Sequence, residues 1–301
     1  MPSRRRAWFV WAGAVVAYGV AVLERTSLGV AAGPAAERFG FNASTFAFLA
    51  VVQLVTYAGL QVPVGVLLDR YGSRRLLVVG AMLMAGGQTL LALAENAPVA
   101  VAARVLVGAG DAMTFTCVLR LLPAWFPARR VPLLTQVTGQ VGQLGQVAST
   151  VPLVAALAGV GWTASYLGAA AIALVSAVLV GLVVRDRPAG TPNPGSGLTL
   201  REANRNVVTS FLLPGTRLGL WTHFTTQFSG LVFVLLWGFP FVTTGLGYSS
   251  AFAGSLLTLM VLAGVAIGPA LGQLSARFPM RRSNLVFGVL VVTVGMWTLV
   301  L

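Results

Sequence analysis

The stretch GVLLDRYGSRR, Gly65–Arg75, gathers Asp69, Arg70, Arg74 and Arg75 in a chain that is otherwise 9% charged and 57% hydrophobic. Its surroundings explain the crowding. The mean hydropathy over the 301 residues is +0.86. Apolar runs of about 18 residues or more recur along the chain, which marks an all-α polytopic membrane protein.

Several function classes are excluded early. The single cysteine, Cys117, makes no intramolecular disulfide, and no CxxC or Cys/His spacing suggests a metal site. All twenty basic residues are Arg, which rules out a lysine Schiff base and a lysine P-loop. No nucleophile–base pair stands out, so the chain reads as no enzyme, with no cofactor, no metal and no catalytic residue. The net charge of +13 would suggest a nucleic-acid partner in a soluble protein. Here its placement in the loops argues against nucleic acid and for membrane topology.

Nine apolar segments follow one another: Ala7–Ala32, Ser44–Leu68, Leu76–Ala94, Pro98–Leu122, Val131–Ala158, Thr163–Val184, Leu218–Val242, Ser250–Leu274 and Asn284–Leu301. Each can cross about 30 Å as a helix, the conformation lipid enforces even where Val and Gly abound. With the N-terminus cytoplasmic, sixteen Arg fall on that side and only Arg38 outside, as the positive-inside rule requires. The expected location is the cell inner (plasma) membrane. SRRR before the first run is no secretory signal, because the run is long, carries Glu24 and Arg25, and leads into further spans.

Between Arg185 and Arg217 lies the longest polar stretch. Its PAGTPNPGSG reads as a flexible linker. The expected organisation is a six-helix bundle over 1–184, a cytoplasmic linker over 185–217, and three helices of a second bundle over 218–301. The opening motif then returns as GQLSARFPMRR, Gly272–Arg282, offset by 207 residues, with Ala276 for Asp69 and Pro279 for Gly72. The same offset superposes the second and third segments on the eighth and ninth, so the halves are repeats of like orientation. Leu301 falls near the counterpart of Ala94, from which a truncated product is inferred.

GVLLDRYGSRR resembles the loop signature of the major facilitator superfamily, found between the second and third helices. The resemblance implies a six-plus-six helix plan and secondary transport by alternating access. It also implies that Gly65, Asp69, Arg70, Gly72, Arg74 and Arg75 form a cytoplasmic gate. For Arg74 and Arg75 alone, topological anchoring is an equal reading.

Four ionisable residues lie within spans: Glu24, Arg25, Arg104 and Asp111. Each would cost roughly 2.5–3.5 kcal/mol facing lipid unpaired, so they face a cavity or one another. Arg104 and Asp111 are seven apart and share a helix face, as do Trp11, Tyr18 and Arg25. Two cations and two acids can pair across helices. Arg120, near the cytoplasmic end, reads as snorkelling. AVLERTSLGVA and RVLVGAGDA with WFPARR resemble the anion:cation symporters within the superfamily, with Glu24 where that group has Asp, Asp111 where it has Glu, and its following proline missing. By that resemblance Arg25 and Arg104 bind an anionic small-molecule substrate, and Glu24 and Asp111 carry coupling protons.

Tyr18, Gln53 and Tyr57 fit the same cavity; Gln61, Gln136, Gln140 and Gln143 are equally suited to join helices. Gly139, Gly142 and Gly145 read as close packing, and His223 as a packing residue. The leading expectation is a monomeric, proton-coupled transporter of a small organic anion. A proton-driven drug or metabolite exporter and a non-transporting sensor are the alternatives.

Overall fold

The structure is a computed structural model, and it describes residues 4–29, 31–40, 43–190, 199–233, 238 and 241–300. It is all-α, with no strand among the described residues. The helices are α1 (Arg4–Thr26), α2 (Ala32–Phe39), α3 (Ala43–Tyr71), α4 (Ser73–Leu93), α5 (Ala97–Ala112), α6 (Phe115–Trp125), α7 (Val131–Val183), α8 (Leu200–Leu212), α9 (Pro214–Val232), α10 (Ser250–Arg277) and α11 (Arg282–Val300). Among the described residues six helical stretches are long and apolar enough to cross a membrane: Arg5–Thr26, Ser44–Tyr71, Ser73–Leu93, Ala97–Trp125, Pro152–Val183 and Pro279–Leu299.

The boundaries follow local chemistry. Asn96 caps α5 by accepting Val99 N–H at 3.1 Å, and Ser249 caps α10 by accepting Phe252 N–H at 3.2 Å. The fifth and sixth apolar segments run together in α7, broken only at Gly161, whose φ of 79° redirects the chain. Of the seventh segment only part lies within the described residues. Its helix α9 ends at Val232, and a π-turn follows at Phe241–Gly245; residues 234–237, 239 and 240 lie outside the described residues.

The polar stretch 185–217 contains a helix beyond its PAGTPNPGSG run. Residues 191–198 lie outside the description, but 200–212 form α8. Its start is a capping box: Glu202 N–H donates to Thr199 Oγ1 at 3.2 Å, and Thr199 N–H donates to Glu202 Oε2 at 2.7 Å. That backbone hydrogen bond holds the exposed Glu202 carboxyl below its ordinary value.

Two compact units are distinguished: Met1–Pro127 with Val141–Val207, and Ala128–Gln140 with Val208–Leu301. In the first, small residues bring helices together: Ala21 on α1, Ala81, Met84 and Ala85 on α4, and Ala173 and Ala177 on α7 form one buried cluster. In lipid, packing of this kind replaces the missing hydrophobic drive between helices. A second cluster gathers Leu28, Leu49, Leu91, Leu153, Trp162 and Tyr166. In the second unit α10 lies against 131–140, where Gln140 Nε2 donates to Gly264 O at 2.9 Å. Gln140 thus joins helices, one of its two expected roles.

Candidate functional site

The site is built where α1, α3, α4, α5 and α7 of the first unit converge. Backbones must approach closely there. A Cβ on Gly108 of α5 would overlap the Gln53 carbonyl of α3, so α3 and α5 touch beside the charged residues. Arg104 and Asp111, on one face of α5, are 0% and 1% exposed.

Arg25 at the end of α1 reaches across to α5, with Nη1 3.4 Å from Asp111 Oδ2. Arg104 Nη2 donates to the Arg25 carbonyl at 3.2 Å and to Gln53 Oε1, while Gln53 Nε2 donates to the same carbonyl at 3.4 Å. Arg104 is thereby held by one edge. Its Nε and Nη1 have no hydrogen-bond partner among the described residues.

Glu24, also 0% exposed, turns to α4. Its Oε2 accepts from Gln88 Nε2 on α4 at 2.5 Å, and the same amide nitrogen donates to Ser27 Oγ at 3.1 Å. Ser27 Oγ donates to Glu24 O at 2.8 Å, and Tyr166 of α7 donates to Ser27 O at 3.3 Å. Glu24 Oε1 has no partner among the described residues. Tyr18 and Tyr57 stand within the electrostatic reach of Arg25. The Tyr18 ring lies 4.9 Å from Phe115 and directly over Gly142, where any side chain would collide with it.

Five expected site residues, Arg25, Arg104, Asp111, Gln53 and Glu24, thus surround one locus, and Tyr18 and Tyr57 border it. Gln88, Ser27 and Tyr166 were missed. Gln88 gave a signal of the kind that flagged Gln53, a buried amide within an apolar span. Gln136 and Gln140 belong to the second unit, and the side chain of Gln143 lies outside the description. Gly145 packs against the Gly19 carbonyl, whereas nothing lies close to Gly139. His223 is exposed on α9 rather than packed. Among the described residues no group of three His, Cys, Asp or Glu side chains could hold a metal.

The signature Gly65–Arg75 spans the end of α3 and the start of α4. Its Asp69 pairs with Arg120 of α6, Oδ1 to Nη2 at 3.0 Å, and not with its Arg neighbours. Arg120 thereby has an ion-pair partner that the sequence reading did not give it. The reason is position: the half-buried Asp69 carboxylate near the end of α3 stands within reach of the Arg120 guanidinium of α6. Arg70 stacks over Tyr71 at 5.2 Å, and Arg75 is exposed. Gly65 has nothing within 4 Å of where a Cβ would stand.

Gly72, at φ 81°, precedes α4 without supplying a side-chain cap. The cap comes from Asp186, beyond α7, whose Oδ1 accepts Arg74 N–H at 2.8 Å. Arg74 in return donates through Nε to Gly181 O at 3.0 Å, and Trp125 Nε1 donates to Arg185 O at 2.9 Å. Asp186, which the sequence reading passed over, closes this end of the unit.

Comparison with known proteins accords with this architecture. The chain is 30% identical over 180 residues to an Agrobacterium vitis protein named as a tartrate transporter, covering 57% of this chain and 41% of that protein. It is 22% identical over 171 residues to a Cupriavidus necator protein named as the sulfoacetate transporter SauU, covering 57% and 40%. It is 34% identical over 117 residues to the multidrug efflux pump LfrA of Mycolicibacterium smegmatis, covering 39% and 23%. The matches thus span about two fifths or less of these relatives' lengths. Among solved structures, a bacterial homologue of the human lysosomal transporter Spinster matches with a TM-score of 0.51 at 18% identity, covering 92% of this chain and 64% of that one, which bears on the fold alone. The Major Facilitator Superfamily model matches residues 14–301, and the chain belongs to that family of membrane transporters.

Proposed function

We propose that the chain carries the substrate-binding half of a proton-coupled transporter of small organic anions, working by alternating access from an N-inside orientation in the plasma membrane. The observation that carries this reading is Arg104: a fully buried guanidinium fixed by one edge, with Nε and Nη1 open. A buried charge left so is costly unless something polar or anionic fills the space. A carboxylate can accept charge-assisted hydrogen bonds from the Nε–H and Nη1 groups. The relatives named for tartrate and sulfoacetate transport support an anion of this kind.

In this reading the substrate carboxylate docks on Arg104, with Gln53, Tyr18 and Tyr57 lining the site. Arg25 turns from Asp111 toward the anion. Asp111, losing its counter-charge in a poorly solvated place, takes up the coupling proton, and Glu24 serves as the second proton carrier. The signature acts as the cytoplasmic gate.

Liposomes holding the full-length protein test this. Arg104→Lys keeps the charge but loses the planar fork, so substrate binding weakens. Asp111→Asn still exchanges substrate across the membrane yet fails to concentrate it under a pH gradient. Proton-driven accumulation by Asp111→Asn would remove the coupling role from Asp111. The similarity to LfrA supports a second reading, a proton-driven drug exporter. Proton flux evoked by cationic drugs and not by organic anions would select it.

A further inference from the structure

All seven acidic residues of the chain lie between Glu24 and Glu202. The second unit therefore holds Arg129, Arg130, Arg217, Arg277, Arg281 and Arg282 with no carboxylate of its own. Two of these line a cavity of about 250 Å³ between the end of α10 and the start of α11. Arg281, Arg282, Ser275 and Asn284 form its polar side, and Leu274, Phe278 and Leu285 its apolar side. Arg282 is folded back across it, with Nε donating to Ser275 O at 3.3 Å, which leaves both Nη groups available to an anion.

We propose that this cavity binds the phosphate of an anionic phospholipid from the leaflet at that end of the helices. The first copy of the repeat shows what an anion does in such a place. There the Asp186 carboxylate sits against Gly72 and Arg74 at the start of α4. In the second copy the equivalent positions are Pro279 and Arg281, and Ala276 replaces the acid at Asp69. The Arg281 N–H is already spent on Phe278 O at 3.0 Å, so the anion is left to the guanidinium groups. Guanidinium pairs suit phosphate oxygens bidentately, and Ser275 and Asn284 can meet the rest of a headgroup. The three apolar residues favour a lipid over free phosphate, since a hydrated ion gains nothing from them while a glycerol backbone and acyl chains do.

Native mass spectrometry of the 301-residue chain, equilibrated with phosphatidylglycerol or phosphatidylcholine, tests the site. One phosphatidylglycerol is expected to be retained per chain, with little phosphatidylcholine. In Arg281→Gln/Arg282→Gln its affinity should fall about thirtyfold, from two basic groups near the phosphate, while Arg5→Gln/Arg6→Gln leaves it unchanged. Ala276→Asp, which keeps both arginines and adds an internal anion, should weaken retention as well, and it serves if the double variant does not fold. Equal retention of the two lipids, or wild-type retention in both cavity variants, overturns the proposal. Displacement of the lipid by an equal concentration of inorganic phosphate overturns the lipid source.

Discussion

In Gly65–Arg75 the Asp69 carboxylate lies 3.0 Å from Arg120, Asp186 caps the following helix at Arg74, and Arg74 grips the Gly181 carbonyl. In Gly272–Arg282 the acid is Ala276, the glycine is Pro279, and the one side-chain bond described for Arg282 goes to its own hairpin at Ser275. Both copies make the same helix–turn–helix, α3 to α4 and α10 to α11. Backbone and charge closure are thus separable. A duplicated frame persists on its apolar helices and basic loop alone, while the ion pairs that finish it are particular to one half.

The sharpest way to break the comparison is at Gly72. Its φ of 81° is strained for any other residue, and a Cβ would stand 2.7 Å from Asp186 Oδ2. Gly72→Ala should cost about 1–3 kcal/mol, read as a lowered Tm of the purified chain, whereas Pro279→Ala should move stability by less than about 0.5 kcal/mol. Equal effects would mean that both turns are held alike.

Next comes the cap. Asp186→Asn should cost about 1 kcal/mol. In a double-mutant cycle with Gly72→Ala the two losses should not add, since both act on one contact.

Asp69→Asn comes third. The pair with Arg120 is partly exposed, with side chains 27% and 47% accessible, so its loss should change stability by at most about 1 kcal/mol. In transport by the full-length protein it should slow turnover while leaving substrate affinity near normal. Lost affinity with normal turnover would contradict the gate.

The smallest effect lies at the connection between the copies. The Glu202 carboxyl is depressed by the Thr199 N–H, so its capping contribution is complete above its ordinary value of 4.5 and is lost as the pH falls below it. Amide-exchange protection at the start of α8, taken relative to the intrinsic rate at each pH, should fall over that acid range in wild type and not in Glu202→Gln.

Much of this was legible because lipid simplifies the problem. Long apolar runs must be helices, and four charges within them must find one another, as Arg25 and Asp111 do. The Arg25 pairing followed from charge balance and the shared face of Arg104 and Asp111 from helical period. What escaped depended on the registry between helices. Asp186 meets Arg74 across 112 residues, and Gln88 meets Glu24 across 64; neither separation leaves a periodic trace. The Arg120 ion pair was missed because its partner stands on another helix. The helix α8 was legible and overlooked: Thr199 and Glu202 spell a capping box, but the Pro- and Gly-rich run before it dominated the reading.

Gly161 joins the two helical limbs of α7 with a single non-helical residue. On one side of it Trp162 Nε1 donates to Leu91 O at 3.0 Å and Thr163 Oγ1 to Ala92 O at 3.2 Å, so the turn is pinned to the end of α4. A connection this short carries no slack. An epitope or protease site inserted at Gly161 should therefore pull Trp162 and Thr163 from the Leu91 and Ala92 carbonyls and loosen the end of α4.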